Sequence, residues 1–225
     1  MKTFAVIVAG GSGNRMGTSL PKQFLELEGK PVLVHAAEAF LRAFPSAELV
    51  IVLPSAYLEK GRELMQKYFP DNSIHITEGG ATRFHSVRQG LQKVKGPAIV
   101  FIHDAVRCVV SSSLIQRCYD QAVLKGSAIP SVAVKDSIRM ISEDKTTVID
   151  REILRAIQTP QTFHSDIILP SFQQEYDPAF TDEATVVEKF GQKIALIEGE
   201  ETNIKVTYPI DLIVAAKILE NRNII

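Results

Sequence analysis

The sequence is poor in cysteine, has no tryptophan and carries almost no net charge. Its 225 residues include two cysteines, Cys108 and Cys118, which form no C-x-x-C pair, and its formal net charge is −1. Isolated cysteines indicate reduced thiols of a cytoplasmic protein, not a disulfide framework. A nearly neutral chain has no overall attraction to nucleic acid or to an anionic membrane. We therefore expect a cytoplasmic protein that binds neither, with any anion site built from local clusters.

Long apolar runs and metal-binding motifs are also missing. No apolar segment approaches the roughly 18 residues that span a bilayer, and the first residues have no signal-peptide pattern. The five histidines follow no H-E-x-x-H spacing, so we expect no dedicated zinc site. Without repeats or linkers, residues 1–225 are predicted to form one domain.

Short apolar segments alternate with helical patterns as far as residue 134. This βαβα order predicts an α/β fold with a doubly wound, mostly parallel, Rossmann-like sheet. The predicted strands are residues 4–8, 49–53, 73–77, 97–103 and 127–134, and the predicted helices are residues 31–44, 56–68, 82–94 and 111–125.

The pattern changes after residue 134. Residues 136–150 are polar and alternating, which predicts a β-hairpin and not a central parallel strand. We expect this hairpin to project and pair with a second copy as a dimerisation arm, and a local flap is the equally open alternative. The remaining chain is predicted to form a polar turn at 158–163, helices at 165–174, 182–190 and from 209, and strands at 193–197 and 204–206.

A glycine-rich loop follows the first predicted strand and has the most informative pattern in the chain. It reads V-A-G-G-S-G-N-R-M-G over residues 8–17 and is followed by P-K-Q-F at 21–24. Glycines let backbone N–H groups approach an anion closely, and Arg15 and Lys22 add two positive charges. The spacing matches neither a Walker A loop nor the G-x-G-x-x-G dinucleotide fingerprint. The loop therefore predicts a polyphosphate site, and a flexible turn with two solvated cations is the alternative.

Other polar clusters follow later strands, where ligands of open α/β sheets bind. Gly79 to Ser86 could accommodate a flat base, or could be an ordinary glycine turn capped by Thr82, with Arg83 solvated. Asp104, in H-D-A-V-R, could hold Mg²⁺ or a ribose hydroxyl, or could form a structural ion pair. Lys205 could be an edge-strand charge that prevents aggregation. Each cluster is a weak signal alone.

Together, the motifs resemble those of the 2-C-methyl-D-erythritol 4-phosphate cytidylyltransferases, a family of sugar-phosphate nucleotidyltransferases. The resemblance covers nearly the whole chain and rests on the order of its motifs. They are A-G-G-x-G-x-R-M-G with P-K-Q-F, G-G-x-x-R-x-x-S-V, H-D-A-x-R, D-R-x-x-L, Q-T-P-Q-x-F, T-D-E-A and N-I-K-V-T.

The resemblance implies an enzyme that binds CTP with Mg²⁺ and transfers CMP to a sugar-alcohol phosphate, with release of pyrophosphate. It implies that Arg15 and Lys22 stabilise the transition state and that Arg151 and Lys205 hold the incoming phosphate. It also implies a homodimer whose arm, residues 136–150, is exchanged between subunits, so that Arg151 could serve the neighbour's site. The implied nucleotide-binding residues are Ala9, Gly10, Gly11, Gly13, Gly80, Ala81, Ser86, Asp104 and Ala105, with Asp104 also at the metal, and the implied acceptor-binding residues are Arg107, Thr159 and Thr181.

Two other functions stay open from the residues. The Gly-Gly loop and H-D-A-V-R are also similar to ribitol 5-phosphate cytidylyltransferases, whereas D-R-x-x-L-x-x-I-Q-T-P-Q-T-F favours the methylerythritol enzyme. A module that senses CTP without turnover is the third possibility. The presence of both Arg15 and Lys22 argues against it, because a pure binder would not need both charges.

Overall fold

The structure is a computed structural model that describes residues 1–10, 20–143 and 145–223. The strands are β1 (Lys2–Val8), β2 (Glu26–Leu27), β3 (Lys30–Pro31), β4 (Glu48–Leu53), β5 (Ile74–Glu78), β6 (Ala98–Asp104), β7 (Ser127–Ala133), β8 (Ile138–Ser142), β9 (Lys145–Ile149), β10 (Arg155–Ile157), β11 (Gln161–His164) and β12 (Leu196–Glu198). The α-helices are α1 (Val32–Ala43), α2 (Leu58–Tyr68), α3 (Arg83–Leu91), α4 (Ser112–Lys125), α5 (Ser165–Ser171), α6 (Glu183–Lys189) and α7 (Pro209–Asn223).

The main sheet has the strand order β10-β7-β11-β6-β1-β4-β5, with β12 paired to β7. Strands β6, β1, β4 and β5 run parallel, so their carboxyl ends lie along one edge. Backbone bonds extend this edge beyond the strands, from Ala9 N to Val52 O (2.9 Å) and from Ala105 N to Val8 O (3.0 Å). The predicted α/β fold with a mostly parallel central sheet is confirmed, and its loops after β1, β5 and β6 meet at this edge.

Both faces of β1 are buried, which explains its continuous apolar sequence. Ala5 and Ile7 face a core that includes Phe40 of α1. Phe4 and Val6 face the opposite core, which includes Val87 of α3. The strand that precedes the glycine-rich loop is therefore anchored from two sides.

The prediction of a polar turn at 158–163 is wrong in its second half. Residues from Gln161 onward form β11, which pairs antiparallel with both β6 and β7. Its polar side chains are buried and not exposed at a turn, and Thr162 is fully buried. Pairing on both sides satisfies the backbone of this short segment, and a sequence pattern cannot show such pairing.

Two further strand predictions need correction. Residues 203–207 form no strand but an irregular segment, although Val206 N donates to Val106 O at 2.9 Å. The strand predicted at 193–197 is observed at Leu196–Glu198. Residues 203–207 pair with none of the described strands because backbone oxygens in this segment accept from side chains instead: Asn203 O from Arg107 (2.7 Å) and Val206 O from Lys22 (3.1 Å).

The predicted hairpin is present as the antiparallel pair β8 and β9. We refer to residues 136–150 as the arm. Three of its large apolar side chains are at least half exposed: Met140, Ile141 and Val148. An isolated ribbon of two strands is only marginally stable in water. The exposed apolar side chains are therefore consistent with a partner that covers them. The dimerisation role of the arm stays a prediction.

Both cysteines are buried free thiols. Burial raises the pKa of the Cys108 and Cys118 thiols to about 12. Among the described residues, none of the helices combines the length and the apolar character that a membrane crossing requires.

Candidate active site

A cleft of about 260 Å³ opens at the carboxyl edge of β1, β5 and β6. It is lined by Val8, Ala9, Gly10, Lys22, Gln23, Gly80, Ala81, Thr82, Arg83, Ser86, Asp104, Val106 and Lys205. These residues come from separate stretches of the chain, which the sheet topology joins at one point. Eight of them are residues predicted from the sequence to form the site.

Lys22 reaches the cleft from a short 3₁₀ turn, Lys22–Phe24. The turn is tied to the end of β1 because the Gln23 amide donates from Nε2 to Ala9 O at 2.7 Å. Lys22 Nζ donates to Val206 O at 3.1 Å. The ammonium therefore bridges the loop after β1 and the segment that carries Lys205.

Ser86 lies between the two glycine segments of the cleft. Its Oγ accepts from Gly80 N (3.1 Å) and donates to Thr82 O (3.0 Å). A Cβ on Gly80 would lie 2.4 Å from His85 Cβ, and one on Gly79 would lie 2.9 Å from Ser86 Oγ. No side chain fits at either position, so the turn needs both glycines, and its backbone stays accessible to a flat ligand.

Asp104 ends β6 and is held between two cations. Its Oδ1 accepts from Arg83 Nε (3.2 Å) and Nη2 (3.0 Å), and its Oδ2 lies 2.7 Å from Lys205 Nζ. The charges of Arg83 and Lys205 outweigh the desolvation of Asp104 and hold the pKa of this carboxyl far below its usual range. Asp104 is therefore an ionised, oriented carboxylate in the cleft.

A buried hydrogen-bonded chain supports the backbone of Asp104 from behind. Asp104 N donates to Thr159 Oγ1 at 3.1 Å, and Thr159 Oγ1 lies 3.0 Å from His103 Nδ1. His103 Nε2 lies 3.2 Å from Arg107 O, which can only accept, so Nε2 carries the proton and Nδ1 accepts from Thr159. Burial lowers the pKa of His103 to about 4. His103 is thus neutral and fixes Thr159 as a support for Asp104.

Of the thirteen predicted site residues that the structure describes, eight line the cleft and five do not. Ala105 follows Asp104 but is fully buried and does not line the cleft, and Thr159 supports Asp104 from behind. Arg107 donates to the backbone oxygens of Asn203 (2.7 Å) and Ile157 (3.4 Å) and does not line the cleft. The predicted residues Gly11, Gly13 and Arg15 lie outside the described residues.

Thr181 and Arg151 do not line this cleft either. Thr181 is exposed and directly precedes Asp182, the N-cap of α6. Arg151 lies at the base of the arm, where it donates to Lys135 O at 2.6 Å and about half of its side chain is exposed. Within one chain, therefore, Arg151 lies next to the arm and does not line the cleft.

Five lining residues were not predicted from the sequence to form the site: Val8, Gln23, Thr82, Arg83 and Val106. All five occur within recognised motifs, but the sequence alone gives Arg83 no partner. Its partners in the fold, Asp104 and Glu183, are distant in sequence, at separations of 21 and 100 residues. Only the fold shows that this guanidinium pairs with both carboxylates.

The cleft fits a magnesium ion only if the ligand supplies most of its contacts. Among the residues that the structure describes, no group of three His, Cys, Asp or Glu could hold a metal alone. Mg²⁺ is commonly held by one or two carboxylates together with substrate phosphates and water. Asp104 is the ionised carboxylate in position for this, and Oδ2 keeps a lone pair beside its contact with Lys205.

Lysines, glycine amides and one carboxylate meet at the carboxyl edge of a parallel sheet, an arrangement that fits an α/β nucleotidyltransferase. The sequence matches the model of the 2-C-methyl-D-erythritol 4-phosphate cytidylyltransferase family over residues 3–221. This chain belongs to that family.

Individual relatives agree with this assignment. The family's enzyme from Bacteroides fragilis is 44% identical over 215 residues, which cover 96% of this chain and 98% of the relative. The 4-diphosphocytidyl-2C-methyl-D-erythritol synthase of Anaerococcus prevotii superposes with a TM-score of 0.83 at 26% identity, covering 97% and 98% of the two chains. The cytidylyltransferase of Thermus thermophilus gives a TM-score of 0.75 at 30% identity, covering 98% and 100%. The predicted family and activity class are confirmed.

Proposed function

We propose that the cleft binds CTP and that the chain transfers its CMP group to 2-C-methyl-D-erythritol 4-phosphate. The products are 4-CDP-2-C-methyl-D-erythritol, in the non-mevalonate route to isoprenoids, and pyrophosphate. Family membership supports the activity. The single observation that carries the choice of site is the convergence of Lys22, Asp104 and Lys205 with the glycines at one sheet edge.

The reaction needs positioning and charge more than covalent chemistry from the protein. An oxygen of the acceptor phosphate attacks the α-phosphorus of CTP, forming a new P–O bond. The bond from this phosphorus to the bridging oxygen of the β-phosphate breaks, and its electron pair leaves with pyrophosphate. We assign Lys22, together with Arg15, to stabilise the charge that builds on the α-phosphate oxygens. The support for Lys22 is its place beside Ala9 and Gly10 in the cleft.

We assign the base of CTP to the turn formed by Gly80, Ala81 and Ser86. Gly10, from the loop after β1, also lies close to Ser86, because a Cβ on it would be 3.5 Å from Ser86 Oγ. A flat ring bound against Gly10 and the Gly80–Ala81 turn would contact backbone amides and carbonyls. Such groups can read the hydrogen-bonding edge of a base at close range.

We assign one divalent cation, Mg²⁺, to Asp104 and the phosphates of CTP. When bound, the ion neutralises phosphate charge as the leaving group departs. We also assign the ribose to Asp104, which lines the cleft, and to the backbone of the adjacent Ala105, whose side chain is buried. Arg83 and the backbone bond to Thr159 keep the carboxylate aimed into the cleft.

We assign binding of the acceptor phosphate to Lys205 and Arg151. Further contacts with the acceptor are assigned to Arg107, Thr159 and Thr181. Lys205 is in the cleft of its own chain, whereas Arg151 is at the base of the arm. The exposed apolar groups of the arm support pairing with a second copy. We therefore propose a homodimer in which Arg151 acts in the partner's site.

We further propose that residues 1–225 form one nucleotidyltransferase domain with residues 136–150 as its arm, and that the enzyme is cytoplasmic. Its two cysteines are free thiols, which is usual for that compartment.

Pyrophosphate release tests the acceptor directly. The purified chain is incubated with CTP, Mg²⁺ and one acceptor at a time: 2-C-methyl-D-erythritol 4-phosphate, ribitol 5-phosphate or none. We expect pyrophosphate in equal amount to the nucleotide product with the first acceptor and background with the others. Release with ribitol 5-phosphate alone would reassign the acceptor, and CTP binding with no release from any acceptor would indicate a sensing module.

Mixing two inactive variants is expected to restore activity if Arg151 acts across the dimer. In a mixed dimer of Lys22→Ala and Arg151→Ala chains, one site holds both substitutions and the other is intact. Random exchange makes half of the dimers mixed, so about a quarter of wild-type turnover should return. The measurement is pyrophosphate release before and after subunit exchange.

The control mixes Lys22→Ala with Lys205→Ala, two residues of one cleft. Each site of that mixed dimer carries one substitution, so this mixture should stay inactive. If the first mixture also stays inactive although exchange is verified, Arg151 acts within its own chain or outside the site.

A further inference from the structure

Arg83 is the first residue of α3 and lies between two carboxylates. Its Nε and Nη2 donate to Asp104 Oδ1. On the other side, Nη1 donates to Glu183 Oε1, and Nη2 donates to Glu183 Oε2 at 3.1 Å. The Glu183 side chain is 1% exposed and that of Asp104 11%. Arg83 is therefore a bridge between a carboxylate in the cleft and one outside it.

Glu183 is held rigidly at the start of α6. Asp182 caps this helix by a reciprocal capping box with Thr185. Gln161 of β11 joins the same turn to the sheet, since its Nε2 donates to Asp182 Oδ2 (2.9 Å) and its Oε1 accepts from Ala184 N (2.8 Å). The position of the Glu183 carboxylate is thus fixed relative to β6, the strand that ends in Asp104.

Stability alone is a poor reason for this arrangement. Desolvating two charges costs about as much as their attraction returns, so apolar residues of similar volume are often at least as stable. The four charges are paired: Arg83 and Lys205 are positive and Asp104 is negative. Burial raises the pKa of Glu183, but both of its oxygens accept from the Arg83 guanidinium, which holds it as the carboxylate. Without Glu183, one positive charge beside the cleft would have no counterion of its own.

We propose that Glu183 is a positioning residue of the transferase. Acting through Arg83, it keeps Asp104 aimed into the cleft and prevents the guanidinium from binding the triphosphate instead. Glu183 does not line the cleft, so it contacts no substrate in this arrangement. The inference rests on the proposed function, because it concerns the geometry of that same site.

Glu183→Gln tests this role because it keeps the shape of the side chain and removes its charge. We expect kcat with both substrates saturating to fall about tenfold or more, since a misplaced catalytic group can cost up to about 100-fold. We also expect CTP to bind about threefold more tightly in EDTA by calorimetry, because Arg83 is left free to attract phosphate. A purely structural lesion would weaken both properties together.

Glu183→Asp is the second variant and keeps the charge one methylene further away. It should retain at least threefold more turnover than Glu183→Gln. Glu38→Gln is the matched control, because Glu38 is a part-buried carboxylate paired to Lys30 at 2.5 Å and lies outside the cleft. Its kinetic constants and CTP affinity should equal those of the wild type.

Three results would overturn the inference: unchanged kcat in Glu183→Gln, CTP binding that weakens in step with kcat, or equal losses in the Gln and Asp variants. Wild-type pyrophosphate release is measured in the same series. If the wild type itself has no turnover with CTP and 2-C-methyl-D-erythritol 4-phosphate, the proposed function fails. If the wild type turns over and Glu183→Gln behaves like it, only the role of Glu183 fails.

Discussion

Replacement of Lys22 by alanine is expected to lower kcat by about 100-fold or more while CTP affinity changes little. The removal of one preorganised group that stabilises transition-state charge typically costs about 100- to 1,000-fold. Lys22 is held for this task by the turn that Gln23 fastens to Ala9. Because the charge on the α-phosphate oxygens grows only as the new bond forms, the loss should fall on kcat. Steady-state pyrophosphate release and calorimetry with CTP measure the two effects.

The control for Lys22→Ala is Lys60→Ala. Lys60 Nζ lies 5.0 Å from the centre of the Phe24 ring, in the same neighbourhood, but does not line the cleft. This variant should turn over like the wild type. Wild-type kcat in Lys22→Ala would remove Lys22 from the catalytic role, and an equal loss in both variants would point to damage of the turn.

Lys205→Ala is expected to lower kcat/KM for the acceptor by about 100-fold. A hydrogen bond to a charged group contributes up to about 3 kcal/mol, and about 1.4 kcal/mol corresponds to a factor of ten. Lys205 lines the cleft and about half of its side chain is exposed, so its ammonium can also contact an incoming phosphate beside its 2.7 Å contact with Asp104 Oδ2. The loss should be largest at low acceptor concentration, and the KM for CTP should change less. Initial rates over a matrix of both substrate concentrations separate these effects.

Two comparison variants sharpen this result. Lys205→Arg keeps the charge and should recover part of the lost kcat/KM. Lys217→Ala removes a lysine from an exposed pair with Glu220 on α7 and should have no effect. An unchanged KM and kcat for the acceptor in Lys205→Ala would leave the segment 203–207 with a structural role only.

The parallel half of the sheet could be predicted from the sequence because burial on both faces produces continuous apolar strands. Residues 4–8 and 49–53 are such runs, and their strands are observed with small shifts in the boundaries. Helix starts were also predictable, since Thr82 and Ser111 cap α3 and α4 with their side chains. These patterns depend only on residues close together in sequence, so the tertiary contacts do not alter what they predict.

Long-range pairing could not be predicted in the same way. The polar residues of β11 are buried because β6 and β7 bond to them from both sides. A short polar segment that gains this pairing has the same sequence pattern as an exposed turn. The irregular course of residues 203–207 also depends on contacts that are distant in sequence. One of them joins Asn203 Nδ2 to Thr159 O at 2.9 Å.

The residues of the candidate site likewise fall into those that local motifs predict and those that depend on long-range contacts. Gly10, Gly80 and Asp104 follow or end strands, and Lys22 lies in the turn that precedes β2; the order and spacing of the motifs predicted that these residues share a site, and all four line the cleft. The role of Arg83 could not be predicted in this way, because it depends on Glu183, a residue 100 positions away. Arg151 could be placed next to the arm but not in a site, since one chain alone does not bring it to the cleft.

A crystal structure of the enzyme with CTP and Mg²⁺ would test the central claim most directly. We predict the triphosphate beside Gly10 with Lys22 at the α-phosphate, the base against Gly80 and Ser86, and Asp104 facing the ribose or the metal. Nucleotide bound at any other surface, or Lys22 directed away from the phosphates in the occupied cleft, would contradict it.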